Sequence, residues 1–193
     1  MLNGYTEPVM GLVNGVGGAA RPFILSLVVV AWLAYRKRHR LAAILVAVMA
    51  WELAAVALLK WVVHRPRPEL PADLQVFADP SSYSFPSGHV TFATVFFGTL
   101  IYLLARHWEP TTWLRWVVLA LLMVPVVLMG PARVAWGVHW PSDVLGGYLL
   151  ALLGIQILVW LSHRYDPTPD ERWQLEAPTP SDKRPPSVAE ERL

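Results

Sequence analysis

An all-α polytopic membrane bundle of about five transmembrane helices is the fold this sequence predicts, and three observations predict it. Hydrophobic residues make up 55% of the chain and the mean hydropathy is +0.42, above the roughly half-apolar balance of soluble domains. Charged residues are only 16% of the 193. Half of the 14 acids (Asp166, Asp170, Glu171, Glu176, Asp182, Glu190 and Glu191) crowd into the last 29 residues, leaving an apolar body with a polar tail.

The apolar body divides into stretches near 19–35, 41–63, 88–105, 113–130 and 143–162, each close to the roughly 17–25 residues a membrane helix needs. The first is the weakest, because it is short and carries Arg21 and Pro22 near its start. The Gly-rich residues before it make 1–18 an expected interfacial segment. Residues 19–163 are then the membrane domain, a single one by length. The tail 164–193 has six prolines in its last 29 residues and mixed charges, so it cannot bury a core and is expected to be disordered on the cytoplasmic side. Pro125 is expected to kink the fourth helix without ending it. Trp61, Trp108, Trp113, Trp116, Trp136, Trp140 and Trp160 lie near span ends, as in an aromatic belt. The first 20 residues lack Lys and Arg up to position 20, so no basic leader is expected and the apolar runs are read as anchors that stay.

Basic residues set the expected orientation. "RKRHR" follows the first span, Arg106 and Arg115 flank the turn after the third, and Arg164, Arg172, Lys183, Arg184 and Arg192 follow the fifth. Five spans bring these three regions to one side, and the positive-inside rule makes that side cytoplasmic. The connections near 64–87 and 131–142 then face away from the cytoplasm. A formal charge of +2 with no basic stripe gives no reason to expect a nucleic-acid partner. Without Cys, disulfides and thiolate catalysis are excluded.

Three polar clusters fall on that outer side, where ionisable groups at a membrane edge are read as functional. The second span ends with Lys60, six residues, then Arg67-Pro68. The third begins with Pro86, Ser87, Gly88 and His89. The fourth connection holds Arg133, five residues, His139, three residues, Asp143. Lys60, Arg67 and Arg133 supply positive charge, two of them with forked donors suited to phosphate oxygens. Ser87 and Gly88 open a helix, where free backbone N–H groups and the helix dipole favour an anion. Asp143 can fix the tautomer of His139 and strengthen it as a nucleophile. His89 remains to act as general acid on a leaving oxygen. Such a set makes a phosphoryl-transfer site in which cations neutralise the phosphoryl charge, with no metal or other cofactor expected.

The patterns K-x6-RP, PSGH and R-x5-H-x3-D, in this order, resemble the three motifs of the type 2 phosphatidic acid phosphatase (PAP2) superfamily of membrane lipid phosphatases. They run from residue 60 to 143, within a helical core expected over 19–162. The resemblance implies that Lys60, Arg67, Ser87, Gly88 and Arg133 hold the phosphoryl group. It implies that His139 forms a phosphohistidine, that Asp143 orients it, and that His89 protonates the leaving group and then activates water. One departure is Ala132, where the family often has Ser before the Arg; it removes a secondary hydrogen bond. The implied substrate is a lipid phosphate or diphosphate, with a polyprenyl (undecaprenyl-type) diphosphate favoured in a prokaryotic cell membrane, and phosphatidic acid or phosphatidylglycerophosphate as alternatives. A non-catalytic phospholipid-binding or transport protein would not need the His139–Asp143 pair. A vanadate haloperoxidase on the same cradle is disfavoured by the spans. The bilayer is the expected partner, and oligomeric state is not encoded in any motif.

Other polar residues carry weaker expectations. His64 and Arg65 are expected to meet headgroups or solvent, and His39, His107 and His163 to be inert. Glu52 lies mid-span, about 12 Å below Lys60 at about 1.5 Å per residue, and is expected to hydrogen-bond to a neighbouring helix. Asp79, Ser82, Tyr83 and Phe85 lie in a loop that can lid the site.

Overall fold

Each apolar stretch forms a helix in the computed structural model, which describes residues 20–69, 82–107 and 113–167. In order, these are α1 (Ala20–Tyr35), α2 (His39–Val63), α3 (Gly88–His107), α4 (Trp113–Ala135) and α5 (Pro141–Tyr165). No strand occurs among the described residues. Helices α2 to α5, of 20 to 25 residues, are long and apolar enough to cross a membrane. Helix α1 has 16 residues, about 24 Å, short of the roughly 30 Å hydrocarbon core. The five expected spans are therefore four full-length helices and one shorter one. The segment expected over 1–18, Asp79, Trp108 and the tail beyond Pro167 lie outside the described residues.

One end of the bundle is stitched by basic side chains on helix ends. Arg38 pairs with Asp166 at 3.2 Å, Arg40 donates to the Tyr165 carbonyl at 3.3 Å, and Arg106 donates to the Asp166 carbonyl at 2.7 Å. These cations satisfy carbonyls that the end of α5 leaves without intrahelical partners. They carry α5 through Tyr165, two residues past the expected domain boundary at 163. They also gather the α1–α2 turn and the ends of α3 and α5 at one end, as the basic residues predicted. The opposite end receives the close of α2, the start of α3, the close of α4 and the start of α5, which are the elements bearing the three motifs.

The core has two parts. Leu41, Leu45 and Val48 of α2 pack with Val95 and Leu103 of α3 and Ala151 and Leu158 of α5 near the basic end. Val90, Ala93, Phe96 and Phe97 of α3 pack with Met129 of α4 and Val144 of α5 beneath the motif end. Small residues let the backbones approach, as is usual between membrane helices. A Cβ on Gly147 would stand 2.9 Å from the Ser87 carbonyl oxygen, so only Gly fits where α5 crosses the start of α3. Outward faces carry Leu121, Val127, Leu149, Leu152 and Leu153, all exposed, as a bilayer-facing surface requires. Trp61, Trp113, Trp116 and Trp160 are exposed near helix ends.

Helix α4 runs five residues past its expected end, through Pro125 and Pro131 to Ala135. The reason lies on α5. In an unbroken helix the Gly130 N–H would bond the Val126 carbonyl. Here Gly130 N donates to the Tyr148 hydroxyl at 3.1 Å, and that hydroxyl donates to the Val126 carbonyl at 2.7 Å. The Tyr148 hydroxyl of α5 is thus spliced between the two groups of that rung, one residue before the proline. Gly130 makes room for it, since a Cβ there would lie 2.7 Å from the hydroxyl oxygen.

Glu52 differs from expectation. It is fully buried, and neither carboxyl oxygen has a hydrogen-bond partner. Its side chain fills the space where a Cβ on Gly154 would stand, so α2 and α5 meet through a carboxyl set into a glycine notch, without the inter-helix hydrogen bond.

Removing the splice tests its worth. Tyr148→Phe leaves Gly130 N and the Val126 carbonyl unbridged and is expected to cost about 1–3 kcal/mol of stability, read as a lower unfolding midpoint in detergent; an unchanged midpoint would show the bridge to be idle.

Candidate active site

Asp143 organises the motif end. Trp140 is extended, Pro141 takes the first helical position of α5, and Asp143 occupies the third. From there its Oδ2 accepts the Trp140 backbone N–H at 2.9 Å, an acidic cap suited to a helix N-terminus. The same i to i+4 spacing brings Oδ2 to 3.5 Å from His139 Nδ1. That contact is long, and Nδ1 makes no full hydrogen bond. Asp143 is fully buried and His139 is 3% exposed.

The other edge of the His139 ring meets Arg67. Arg67 NH1 lies 3.3 Å from His139 Nε2 and donates to the Val138 carbonyl at 2.9 Å. A guanidinium only donates, so Nε2 meets it with its lone pair and Nδ1 carries the proton towards Asp143. The remaining Arg67 nitrogens bond Ser82, Nε to its carbonyl at 3.1 Å and NH2 to its hydroxyl at 2.7 Å. Lys60, one turn before the end of α2, donates to the Tyr83 carbonyl. Residues 82–85 of the expected lid therefore lie on the site, held by two of its cations. His64 closes α2 in the left-handed region at φ 49° and packs its ring against Tyr83 at 4.4 Å.

Arg133 reaches the site because α4 continues past Pro131. It is 2% exposed, in the last turn of α4, with its guanidinium 5.3 Å from the Trp136 ring centre. Trp136 is buried; it supports Arg133 through a cation–π contact and is not the interface anchor its place in the chain suggested. Trp140 is partly exposed and donates its indole N–H to the Pro66 carbonyl at 3.1 Å.

At the start of α3, Phe85–Pro86 is a cis peptide and Ser87 is fully buried. The Ser87 N–H is not free, as the sequence suggested, but donates to the Asp143 carbonyl at 3.0 Å. Its hydroxyl oxygen, by contrast, is buried without a hydrogen-bond partner, so it can serve an incoming oxygen. Gly88 opens α3, where helical N–H groups point outward without carbonyl partners. His89, on the first turn, lies within electrostatic reach of His139, Arg133, Arg67 and Lys60.

Burial, and then Arg67, push the His139 imidazole down from an ordinary 6.5 to about 4, with Asp143 pulling the other way and Lys60 and Arg133 adding to the depression. Cations and burial together keep the ring neutral and its Nε2 lone pair available. All eight residues expected at the site, Lys60, Arg67, Ser87, Gly88, His89, Arg133, His139 and Asp143, come to the same end of the bundle. Two residues assigned no part there also reach it. Arg65, expected at headgroups or solvent, forms an ion pair with Asp143 at 2.9 Å. Ser84 donates its hydroxyl to Asp143 Oδ2. Arg65 had one available signal, a cation two residues before a motif arginine in a connection that must reach a buried acid. Among the described residues, no group of three or more His, Cys, Asp or Glu side chains has metal-binding geometry.

Known proteins resemble this chain in sequence and in fold. Over 95 residues the chain is 38% identical to phosphatidylglycerophosphatase B of Bacillus subtilis, covering 49% of this chain and 45% of that protein. It is 37% identical over 82 residues to an undecaprenyl-diphosphatase of Sulfolobus acidocaldarius, covering 40% of this chain and 35% of that one. It is 35% identical over 130 residues to a decaprenylphosphoryl-5-phosphoribose phosphatase of Mycobacterium tuberculosis, covering 66% and 63%. The chain thus spans between about a third and two thirds of the length of these relatives. The crystal structure of a transmembrane PAP2-type phosphatidylglycerolphosphate phosphatase from Bacillus subtilis superposes with a TM-score of 0.73 at 25% identity, over 86% of this chain and 81% of that one. The pattern of the PAP2 superfamily matches residues 40–166, from the start of α2 to the end of α5, and the chain belongs to that superfamily.

Proposed function

We propose that this protein is a membrane lipid phosphatase that works through a phosphohistidine on His139. The observation that carries the reading is the His139–Asp143 pair, whose ring presents Nε2 to Arg67 within reach of Lys60, Arg133 and His89. In the first step Nε2 attacks phosphorus, a P–N bond forms and the bond to the lipid oxygen breaks. His89 gives its proton to that oxygen, and the lipid leaves as an alcohol or monophosphate. In the second step His89 takes a proton from water, whose oxygen attacks phosphorus and breaks the P–N bond. Phosphate leaves and His139 returns to its neutral form. Arg67, now bonded to Ser82, Val138 and His139, would turn its donors to the phosphoryl oxygens, with Lys60, Arg133 and the Ser87 hydroxyl completing the cradle. Positive charge of this kind stabilises the equatorial oxygens without a metal.

The substrate reading favours a polyprenyl diphosphate. The named activities of the relatives divide between prenyl-linked and glycerol-linked phosphates, and the superposed crystal structure supports phosphatidylglycerophosphate as the second candidate. The arrangement of basic residues at one end of the bundle supports a cytoplasmic C-terminus and an extracytoplasmic site, by the positive-inside rule.

Purified protein in detergent is expected to release phosphate from a panel of polyprenyl diphosphate, phosphatidic acid and phosphatidylglycerophosphate, in EDTA as well as without it. His139→Ala should lower release at least about 10³-fold, the scale of losing a nucleophile, while leaving the fold intact; undiminished release would sink the mechanism, and loss in EDTA restored by Mg²⁺ would sink its metal-free form. A reporter joined after Leu193 should read as cytoplasmic; a result on the far side would invert the topology.

His139 supplies a pH test. A histidine held near 4 is neutral wherever a free one is neutral, stays neutral as pH falls through 6.5, and takes its proton only as pH approaches about 4. Histidine NMR spectra of the micelle-bound protein, assigned with His139→Gln, should show a neutral His139 at pH 5.5. Titration at the ordinary value would contradict the electrostatics described above.

A further inference from the structure

Asp143 is gripped from two sides by residues that the three motifs do not specify, Arg65 at an open position of K-x6-RP and Ser84 just before PSGH. Arg65 NH1 donates to Asp143 Oδ1 at 2.9 Å and to the Ser142 hydroxyl at 2.6 Å, with its guanidinium 5.5 Å from the Trp140 ring centre. Ser84 is fully buried and donates its hydroxyl to Oδ2. The two gripping residues are themselves joined, since Ser84 N donates to the Arg65 carbonyl at 2.8 Å. Arg65 therefore bridges the end of the α2 connection to the first turn of α5, and Ser84 closes the bridge from the segment before α3.

We propose that Arg65 and Ser84 are positioning residues for phosphoryl transfer, which lock the Asp143 carboxylate at the angle from which it steers His139. The proposal rests on the reading of His139 as nucleophile and Asp143 as its orienter. A carboxylate offers about four lone-pair sites. On Oδ2, Ser84 and the Trp140 N–H hold two bonds beside the His139 ring, whose Nδ1 is 3.5 Å away; on Oδ1, Arg65 holds a charge-assisted one. Rotation of the carboxylate would break all three. With those bonds in place, the approach of a phosphoryl group to Nε2 can shorten the 3.5 Å contact at Nδ1 without first having to align the acid. Arg65 has a second effect. Its charge on Oδ1 shares the carboxylate with the imidazole and limits how strongly Asp143 can favour a protonated ring. The other groups facing His139 are Arg67, Lys60, Arg133 and His89; the cations among them act in the same direction as Arg65.

Steady-state kinetics against pH on the full-length protein in detergent, with wild type, Arg65→Gln, Arg65→Lys, Ser84→Ala and His139→Ala, test this. Arg65→Gln and Ser84→Ala are expected to lower kcat about 10- to 100-fold, the scale of a misplaced catalytic group, with KM within about twofold of wild type on the same scale. The acidic limb of kcat/KM should move to higher pH in Arg65→Gln. Arg65→Lys keeps the charge but not the fork, and should restore the limb with only part of the rate. A raised KM with kcat and limb intact would make Arg65 a headgroup contact. A lowered unfolding midpoint with kcat and limb intact would make both residues structural, and either outcome overturns the proposal. If Arg65→Gln does not fold, Ser84→Ala decides alone, through kcat at saturating substrate. An active His139→Ala would instead overturn the underlying mechanism, which separates the two failures.

Discussion

The buried carboxylate of Asp143 is the constraint on which the motif end depends. It caps α5 through the Trp140 N–H, faces His139, and receives Ser84 and Arg65. Its backbone carbonyl accepts the Ser87 N–H and ties the start of α3 to the start of α5. One residue thus serves helix initiation, helix–helix registration and, in the proposed mechanism, the orientation of His139. Burying a carboxylate is costly unless its lone pairs are filled, and here Arg65, Ser84 and the Trp140 N–H fill them from three parts of the chain. The acid cannot be present without drawing those segments together.

Around that acid the site is a cluster of like charges. Lys60, Arg67 and Arg133 converge with two histidines, and within this cluster the described residues offer only Asp143 as a countercharge. Backbone carbonyls of Ser82, Tyr83 and Val138 occupy the donors of Lys60 and Arg67 in their place. Carbonyl dipoles are weaker acceptors than anionic oxygens, so a phosphate group gains by displacing them. The same repulsion that makes the cluster expensive favours an anion within it and holds the His139 ring neutral.

Much of this was legible in the chain because hydropathy and motif spacing are local properties. Lys60, Arg67, Ser87, His89, Arg133, His139 and Asp143 could be grouped from spacing and from the side of the membrane on which their connections fall. What escaped depends on contacts without a local pattern. Arg65 meets an acid 78 residues away, and Ser84 one 59 away. Trp136 lies at a helix end like a belt residue, but position along the chain does not fix which face of the helix it takes, and it turns inward under Arg133. Helix α4 outruns its expected end at 130, and the hydroxyl that bonds its backbone there comes from α5, 18 residues along the chain from Gly130. Glu52 was expected to find a donor; the space it occupies is set by the missing side chain of Gly154, which a polarity argument does not see.

The Tyr148 hydroxyl has a mechanical consequence. Because the Tyr148 hydroxyl of α5 bonds both Gly130 N and the Val126 carbonyl, the last turns of α4 are tied to α5. The first four turns of α4 expose Trp113, Trp116, Leu121 and Val127 on its outward face. Arg133 lies on the tied side, together with His139 and Asp143. One phenol thus couples the turn that carries Arg133 to the helix that carries Asp143, so the two halves of the site are held in register by a contact about a turn and a half below it.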